Sequence, residues 1–103
     1  MAKPNNFELW FADFPHEEDT DNTDDRPVVL VRILDEHHVF ALMITKHGVR
    51  DESDMAIENW HSAGLDCPST IRTRRAYKLA IEKLRRKIGT LTETDIIRLK
   101  FKI

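Results

Sequence analysis

Two neighbouring apolar runs constrain the fold of this chain more than any other feature. They occupy residues 26–34 (Arg-Pro-Val-Val-Leu-Val-Arg-Ile-Leu) and residues 38–46 (His-Val-Phe-Ala-Leu-Met-Ile-Thr-Lys). Valine, isoleucine, leucine and phenylalanine fill most successive positions in both runs, which is typical of strands that are buried on both faces. Residues 35–37 between the runs are polar and suit a turn. The pair therefore predicts a central β-hairpin.

Each run also carries, near one end, a polar side chain that can contact a phosphate. Arg26 begins the first run, and Thr45 lies close to the end of the second. Pro27 favours an extended backbone at Arg26, which restricts where the guanidinium can point. We predict a small barrel in which the two central strands bring Arg26 and Thr45 to a shared mouth.

The segments around this hairpin predict further strands. Alternating apolar residues over 7–13 predict a first strand with one well-buried face, ended by a Phe-Pro pair. Residues 16–25 have no apolar side chain and predict a mobile, acidic loop. Residues 55–60 fit either a short strand or a helical turn. Residues 69–77 are β-branched and then basic, so they predict a strand with one solvated face.

The C-terminal part predicts one helix. Residues 78–91 fit strands and helices equally well, with a break expected at Gly89. Residues 92–95 (Thr-Glu-Thr-Asp) have the spacing of a capping box, and Ile96, Leu99 and Ile103 follow at helical spacing. A run of strands closed by one helix predicts the mainly β class, as a small barrel with a helical cover.

Length and composition set further limits. A chain of 103 residues predicts a single domain over residues 1–103, and the single cysteine, Cys67, suits a reducing cytoplasm. No apolar run or N-terminal leader predicts membrane insertion or export. Residues 1–71 hold 5 basic and 15 acidic side chains (net −10), and residues 72–103 hold 11 basic and 3 acidic ones (net +8). Either the acidic and basic parts of the chain neutralise each other in the fold, or the basic part attracts an anionic partner to one side of the domain.

Short motifs follow one another along nearly the whole chain: Trp-Phe-Ala-Asp-Phe-Pro (10–15), Arg-Pro-Val-Val-Leu-Val (26–31), Ile-Thr (44–45), Trp60 with Ala-Gly-Leu (63–65), Pro-Ser (68–69), Ile-Arg (71–72) and Ile-Gly-Thr-Leu (88–91). Their order resembles that of the PemK/MazF-like toxins, which are growth inhibitors of bacterial type II toxin–antitoxin systems. The resemblance implies an SH3-like (PemK/MazF/CcdB-like) barrel with a C-terminal α-helix, a homodimer and a cognate antitoxin. It also implies metal-independent endoribonuclease activity on single-stranded RNA, which leaves a 2′,3′-cyclic phosphate and a 5′-hydroxyl.

The resemblance also implies roles for individual residues. Arg26, Thr45 and Arg72 match residues that act at the scissile phosphate. Where some relatives have an aspartate two positions after the last of these, this chain has Arg74, so the general base is not assigned by the match. Asp21 matches an acidic loop residue that a few relatives use, and His16 has a better-tuned pKa as an alternative.

Simpler interpretations remain open for the same residues. Arg26 would serve equally as a surface arginine paired with Asp24 or Asp25, and Thr45 as an ordinary strand residue. The cluster Arg72, Arg74 and Arg75 fits a solvated strand face as well as a nucleic-acid contact.

Two hypotheses about function follow from the sequence. The first is a ribonuclease toxin. The second is a catalytically degenerate relative that binds a protein partner or nucleic acid without cleaving it, which the seven carboxylates between Asp13 and Asp25 favour because they repel RNA. The five histidines and Cys67 lack the spacing of a zinc site, so we predict no metal and no cofactor.

Overall fold

The computed structural model describes residues 3–15 and 23–103. Over these residues the chain forms six strands, a short 3-10 helix at Ile81–Lys83 and one α-helix. No helix of this part is long and apolar enough to cross a membrane. The strands are β1 (Glu8–Pro15), β2 (Thr23–Ile33), β3 (His38–Thr45), β4 (Asp54–Ala56), β5 (Thr70–Ala80) and β6 (Leu84–Thr90), and the helix is α1 (Glu93–Lys102).

The strands form one antiparallel sheet in the order β4-β5-β3-β2-β1-β6. The predicted hairpin of β2 and β3 lies at its centre, with Val28 opposite Met43 and Ile33 opposite Val39. The predicted mainly β class, a small barrel-like sheet closed by a C-terminal helix, is confirmed.

Both faces of the central strands are packed, as the apolar runs predicted. One face, called here the helix side, packs with α1 through a core that includes Leu9, Val29, Leu42, Ile71 and Leu99. The other, called here the far side, has a separate core that includes Trp10, Ala12, Val28, Leu30, Val39, Ala41 and Leu79. Successive side chains of a strand point to opposite faces. A residue next to a member of one core therefore faces the other side of the sheet, and a residue two positions away faces the same side.

Three predictions about the N-terminal strands and their loop need correction. β1 is packed on both faces and not on one, because Trp10 and Ala12 are as buried as Leu9. β2 begins at Thr23, three residues before Arg26, because β1 continues to Pro15 and pairs with it as far as Thr23. The predicted acidic loop is therefore shorter than residues 16–25, and its residues 16–22 lie outside the described part of the chain.

The predicted break at Gly89 is also wrong. Gly89 lies within β6, and residues 78–91 continue β5, form the 3-10 turn and then form β6. A Cβ atom at Gly89 would collide with the carbonyl oxygen of Ala63. Glycine is needed here for close approach of the loop backbone, not to end a strand.

The helix is confirmed, but its predicted cap is wrong. Thr92 is the N-cap residue, yet its side chain makes no capping hydrogen bond. Asp95, which is fully buried, instead accepts hydrogen bonds from the backbone N–H groups of Glu58 (3.1 Å) and Asn59 (2.9 Å). The carboxylate therefore ties α1 to the 58–64 turn. Of the predicted apolar stripe, Leu99 is buried and Ile103 is exposed.

A second buried carboxylate, Glu8, links β1 to β6. It accepts hydrogen bonds from the backbone N–H of Asn5 (2.8 Å) and Nε1 of Trp10 (3.0 Å), and Nζ of Lys87 lies 2.9 Å away. Burial raises the pKa of Glu8, but these hydrogen bonds and the charge of Lys87 outweigh it, so the pKa lies below its ordinary value.

Candidate phosphate-binding site

Arg26 and Thr45 lie at the same end of the central hairpin. Each is two residues beyond the pair Val28–Met43, in the same direction along the sheet. Arg26 is opposite Ala12 of the far-side core, and Met43 also packs against that core. Strand alternation therefore places Arg26 and Thr45 on the far side. The two predicted residues therefore share one face of the sheet at the same end of the hairpin.

Arg72 joins the same surface from β5. Thr45 is opposite Thr70, so these two side chains share a face. The ladder between β4 and β5 is regular through residues 70–72, with Ile71 on the helix side. Thr70 and Arg72 therefore both lie on the far side. We refer to Arg26, Thr45 and Arg72 together as the far-side triad.

A large bulge in β5 surrounds Arg72. The pairs Leu42–Ala76 and Ile44–Ile71 leave four residues of β5 (72–75) opposite one residue of β3. Bulges re-aim side chains and often occur beside functional sites. Here the bulge contains the predicted cluster of Arg72, Arg74 and Arg75, and the basic composition of residues 72–75 was its only sequence signal.

Two polar groups of the triad have unused hydrogen-bonding capacity. Nε of Arg72 is buried and has no hydrogen-bond partner among the described residues, although burying a donor unpaired costs about 1–3 kcal/mol. The Thr45 hydroxyl accepts a hydrogen bond from the backbone N–H of His47 (3.2 Å), and no described residue accepts its proton. Both groups can therefore donate to an anion that enters this surface.

Asp54 is a carboxylate at this surface that the sequence reasoning missed. It is directly opposite Arg72 in the β4–β5 ladder and is only 7% exposed. Its Oδ2 accepts a hydrogen bond from the backbone N–H of Arg50 (3.0 Å), whereas no described residue donates to Oδ1. The sequence did not point to Asp54, because it is a single aspartate in a polar segment whose pairing with β5 the sequence does not reveal.

The other predicted residues are placed differently. Arg74 is exposed and forms an ion pair with Asp51 (2.7 Å), and Cζ of Arg75 lies 4.7 Å from the ring centre of Tyr77. Hydrogen bonds from Ser53, and the charges of Arg74 and Lys102, hold the pKa of Asp51 below its usual range.

Three further predictions concern the general base, the partner of Arg26 and a bound metal ion. Both candidates for the general base, Asp21 and His16, lie outside the described residues. Asp25, a suggested partner of Arg26, lies 3.8 Å from Nε of Arg85. Within residues 3–15 and 23–103, no group of three or more His, Cys, Asp or Glu side chains could hold a metal ion.

Comparison with known proteins places this geometry in a family. None of the curated proteins compared with the chain matches it. The model of one protein family, described as the PemK-like, MazF-like toxin of type II toxin–antitoxin system, matches residues 5–103. The match includes every strand, the helix and the far-side triad. The chain therefore belongs to the PemK-like, MazF-like toxins of type II toxin–antitoxin systems.

Proposed function

We propose that this toxin is a metal-independent endoribonuclease that cleaves single-stranded RNA at the far-side triad. The observation that carries the proposal is the buried, unpaired Nε of Arg72 on the surface that also presents Arg26 and Thr45. The proposal covers residues 1–103 as one domain, in a cytoplasmic homodimer. Family membership itself implies an antitoxin as the protein partner.

Each member of the triad suits one part of the cleavage reaction. The 2′-hydroxyl oxygen of the RNA attacks the adjacent phosphorus, and the bond from phosphorus to the 5′-oxygen breaks. Negative charge then accumulates on the phosphate oxygens, and the guanidinium groups of Arg26 and Arg72 are planar, permanent donors for it. The Thr45 hydroxyl adds a neutral donor. Preorganised donors of this kind contribute about 3–4 kcal/mol each to transition-state stabilisation.

The reaction also needs a group that takes the proton of the 2′-hydroxyl. An arginine is a poor acceptor because its pKa lies above about 12. Asp54 is the carboxylate directly opposite Arg72 in the β4–β5 ladder, and its Oδ1 accepts no hydrogen bond from any described residue. We assign the proton acceptor to Asp54, with Asp21 and His16 as the alternatives that the sequence suggested.

Two substitutions test the triad and the acceptor separately. We expect Arg26→Ala to lower kcat by about 10²–10³-fold, because one phosphate donor is lost. We expect Asp54→Asn to lower kcat by about 10²–10⁴-fold, which is the range for loss of general base catalysis. The asparagine side-chain oxygen still accepts the hydrogen bond from Arg50, so the loop conformation should be retained.

The measurement is cleavage of a fluorescently labelled single-stranded RNA in EDTA across pH. Glu58→Gln is the matched control, since it removes an exposed carboxylate of the neighbouring turn and should cleave at the wild-type rate. Wild-type protein that leaves the RNA intact would overturn the proposed function. Full activity of Asp54→Asn would return the acceptor role to Asp21 or His16.

A second candidate function is binding without cleavage. The observation that favours it is the ion pair of Arg74 with Asp51, which neutralises a cation where some relatives carry an aspartate. In that case the wild-type protein retards the labelled RNA in a gel without cutting it. Arg26→Ala then weakens this retention, whereas Asp54→Asn leaves it unchanged.

A further inference from the structure

A cleft on the helix side of the sheet is not used by the proposed reaction. It has a volume of about 230 Å³ and lies between β1, β6 and the loop at residues 64–66. Its apolar lining comes from Phe11, Leu65 and Ile88, and its charged rim comes from Asp66, Arg86 and Lys87. Cζ of Arg86 lies 5.0 Å from the ring centre of Phe11, so a cation covers an aromatic wall of the cleft.

Arg86 differs from the basic residues beside it on β6. Arg85 forms an ion pair with Asp13 (2.8 Å), and Lys87 forms one with Glu8 (2.9 Å). No carboxylate of the described chain lies within ion-pair distance of Arg86. The cleft therefore has one cation whose charge is not matched by a neighbour.

The backbone of β6 adds a third feature. β6 is the last strand of the sheet and pairs with β1 alone. The backbone N–H of Leu84 is already used, since it donates to the carbonyl oxygen of Ile81. Within the described part of the chain, residues 85–87 make no backbone hydrogen bond besides those of this ladder. The loop at Ala63 and Gly64 approaches β6 closely at residues 88–89. An open strand edge therefore runs directly beside the cleft and Arg86.

We propose that this edge and cleft bind an extended peptide segment of a protein partner by strand addition to β6. The added strand hydrogen-bonds to the open backbone at residues 85–87. An apolar side chain of the segment enters the cleft, and an acidic side chain two positions away, on the same face, pairs with Arg86. In strand addition, main-chain hydrogen bonds supply affinity, and pockets for alternate side chains supply specificity.

The same features favour a peptide over RNA. A nucleic acid has no peptide backbone, so it cannot form the regular ladder of hydrogen bonds that the open edge of β6 offers. An RNA track needs several unpaired cations, whereas Arg85 and Lys87 are already neutralised by carboxylates of this chain. The carboxylate of Asp66 at the rim would repel a phosphate. The proposal does not depend on ribonuclease activity.

The test uses a capped synthetic peptide, acetyl-Thr-Leu-Thr-Glu-Thr-Val-Thr-amide, titrated into the ¹⁵N-labelled full-length protein. Leucine and glutamate are two positions apart and so lie on one face of an extended chain. We expect chemical-shift changes at the amides of residues 84–88 and 64–66, and slower hydrogen exchange along the outer edge of β6. Arg86→Ala should weaken this binding about 5–10-fold, as loss of a charge-assisted hydrogen bond predicts. Arg85→Ala, which removes a neighbouring cation that is already paired, should leave the affinity within about 2-fold.

Two further probes separate strand addition from other binding. A peptide of the same side chains with N-methyl groups on alternate residues cannot complete the ladder and should not slow exchange in β6. A peptide with lysine in place of glutamate should bind more weakly. The proposal is overturned if the N-methylated peptide binds as well as the parent, or if Arg86→Ala has no effect. It is also overturned if a single-stranded RNA, and not the peptide, shifts these amides.

Discussion

Replacement of Asp95 by alanine should be among the most destabilising single changes in this protein. Asp95 is fully buried and accepts hydrogen bonds from two backbone N–H groups of the 58–64 turn. Nη1 of Arg98 lies 2.7 Å from its Oδ1. Alanine removes the acceptor and leaves these two partly buried backbone donors without a partner.

The magnitude follows from these contacts. A buried donor left without an acceptor costs about 1–3 kcal/mol, so the two N–H groups together cost about 4 kcal/mol. Arg98 adds little, since it is partly exposed and also donates to the carbonyl oxygen of Ala56 (3.0 Å). In a domain of this size, each kcal/mol shifts Tm by about 4–8 °C, so we expect Tm to fall by about 15–30 °C.

The assay is urea unfolding followed by tryptophan fluorescence. The midpoint should fall while the m-value stays unchanged, which identifies a change in stability and not in the denatured state. Asp95→Asn retains one acceptor oxygen and should cost about half as much. Glu93→Ala, an exposed carboxylate in the same helical turn, is the control and should change the free energy of unfolding by less than about 0.5 kcal/mol. A loss below about 1 kcal/mol for Asp95→Ala would refute the assignment of two orphaned donors.

Three other outcomes are expected. Glu8→Gln should destabilise the protein above about pH 4.5, and the difference from wild type should vanish as the pH falls through the lowered folded-state pKa, measured as Tm against pH. Gly89→Ala should cost more than about 2 kcal/mol by urea unfolding, because its Cβ meets the carbonyl of Ala63; a neutral result contradicts the close approach. Arg74→Ala should cost less than about 0.5 kcal/mol because its pair with Asp51 is exposed. If Arg74 contacts RNA, the same variant lowers the slope of log affinity against log salt by about one, and an unchanged slope removes it from the RNA surface.

The central part of the fold was predictable because it depends on local pattern. Apolar residues at successive positions in residues 26–34 and 38–46 predicted two strands buried on both faces, and both faces are packed. The predicted cap at Thr92 failed for a non-local reason. Asp95 has the spacing of a capping residue, but the 58–64 turn offers it two backbone donors that sequence spacing cannot reveal.

The candidate site divides in the same way. Arg26 and Thr45 were predicted together because they belong to one hairpin, whose turn length sets their relative position. The role of Arg72 at the phosphate was named only through the family resemblance, although the basic cluster at residues 72–75 had drawn attention to it. Its burial depends on a bulge in β5 and on pairing with β4, which begins 16 residues before Thr70. Asp54 was not named at all, since a lone aspartate in a polar segment carries no pattern.

The sequence by itself determined the strand-rich class, the central hairpin, the terminal helix and the family. Side-chain periodicity and motif order are properties of the linear chain, and they do not require knowledge of long-range contacts. Only the tertiary structure decided which polar groups became neighbours: Arg72 with Asp54, Asp95 with the 58–64 turn, and Arg86 with Phe11. These partners are far apart in sequence, and the packing of the whole sheet, with its bulges, sets the distances between them.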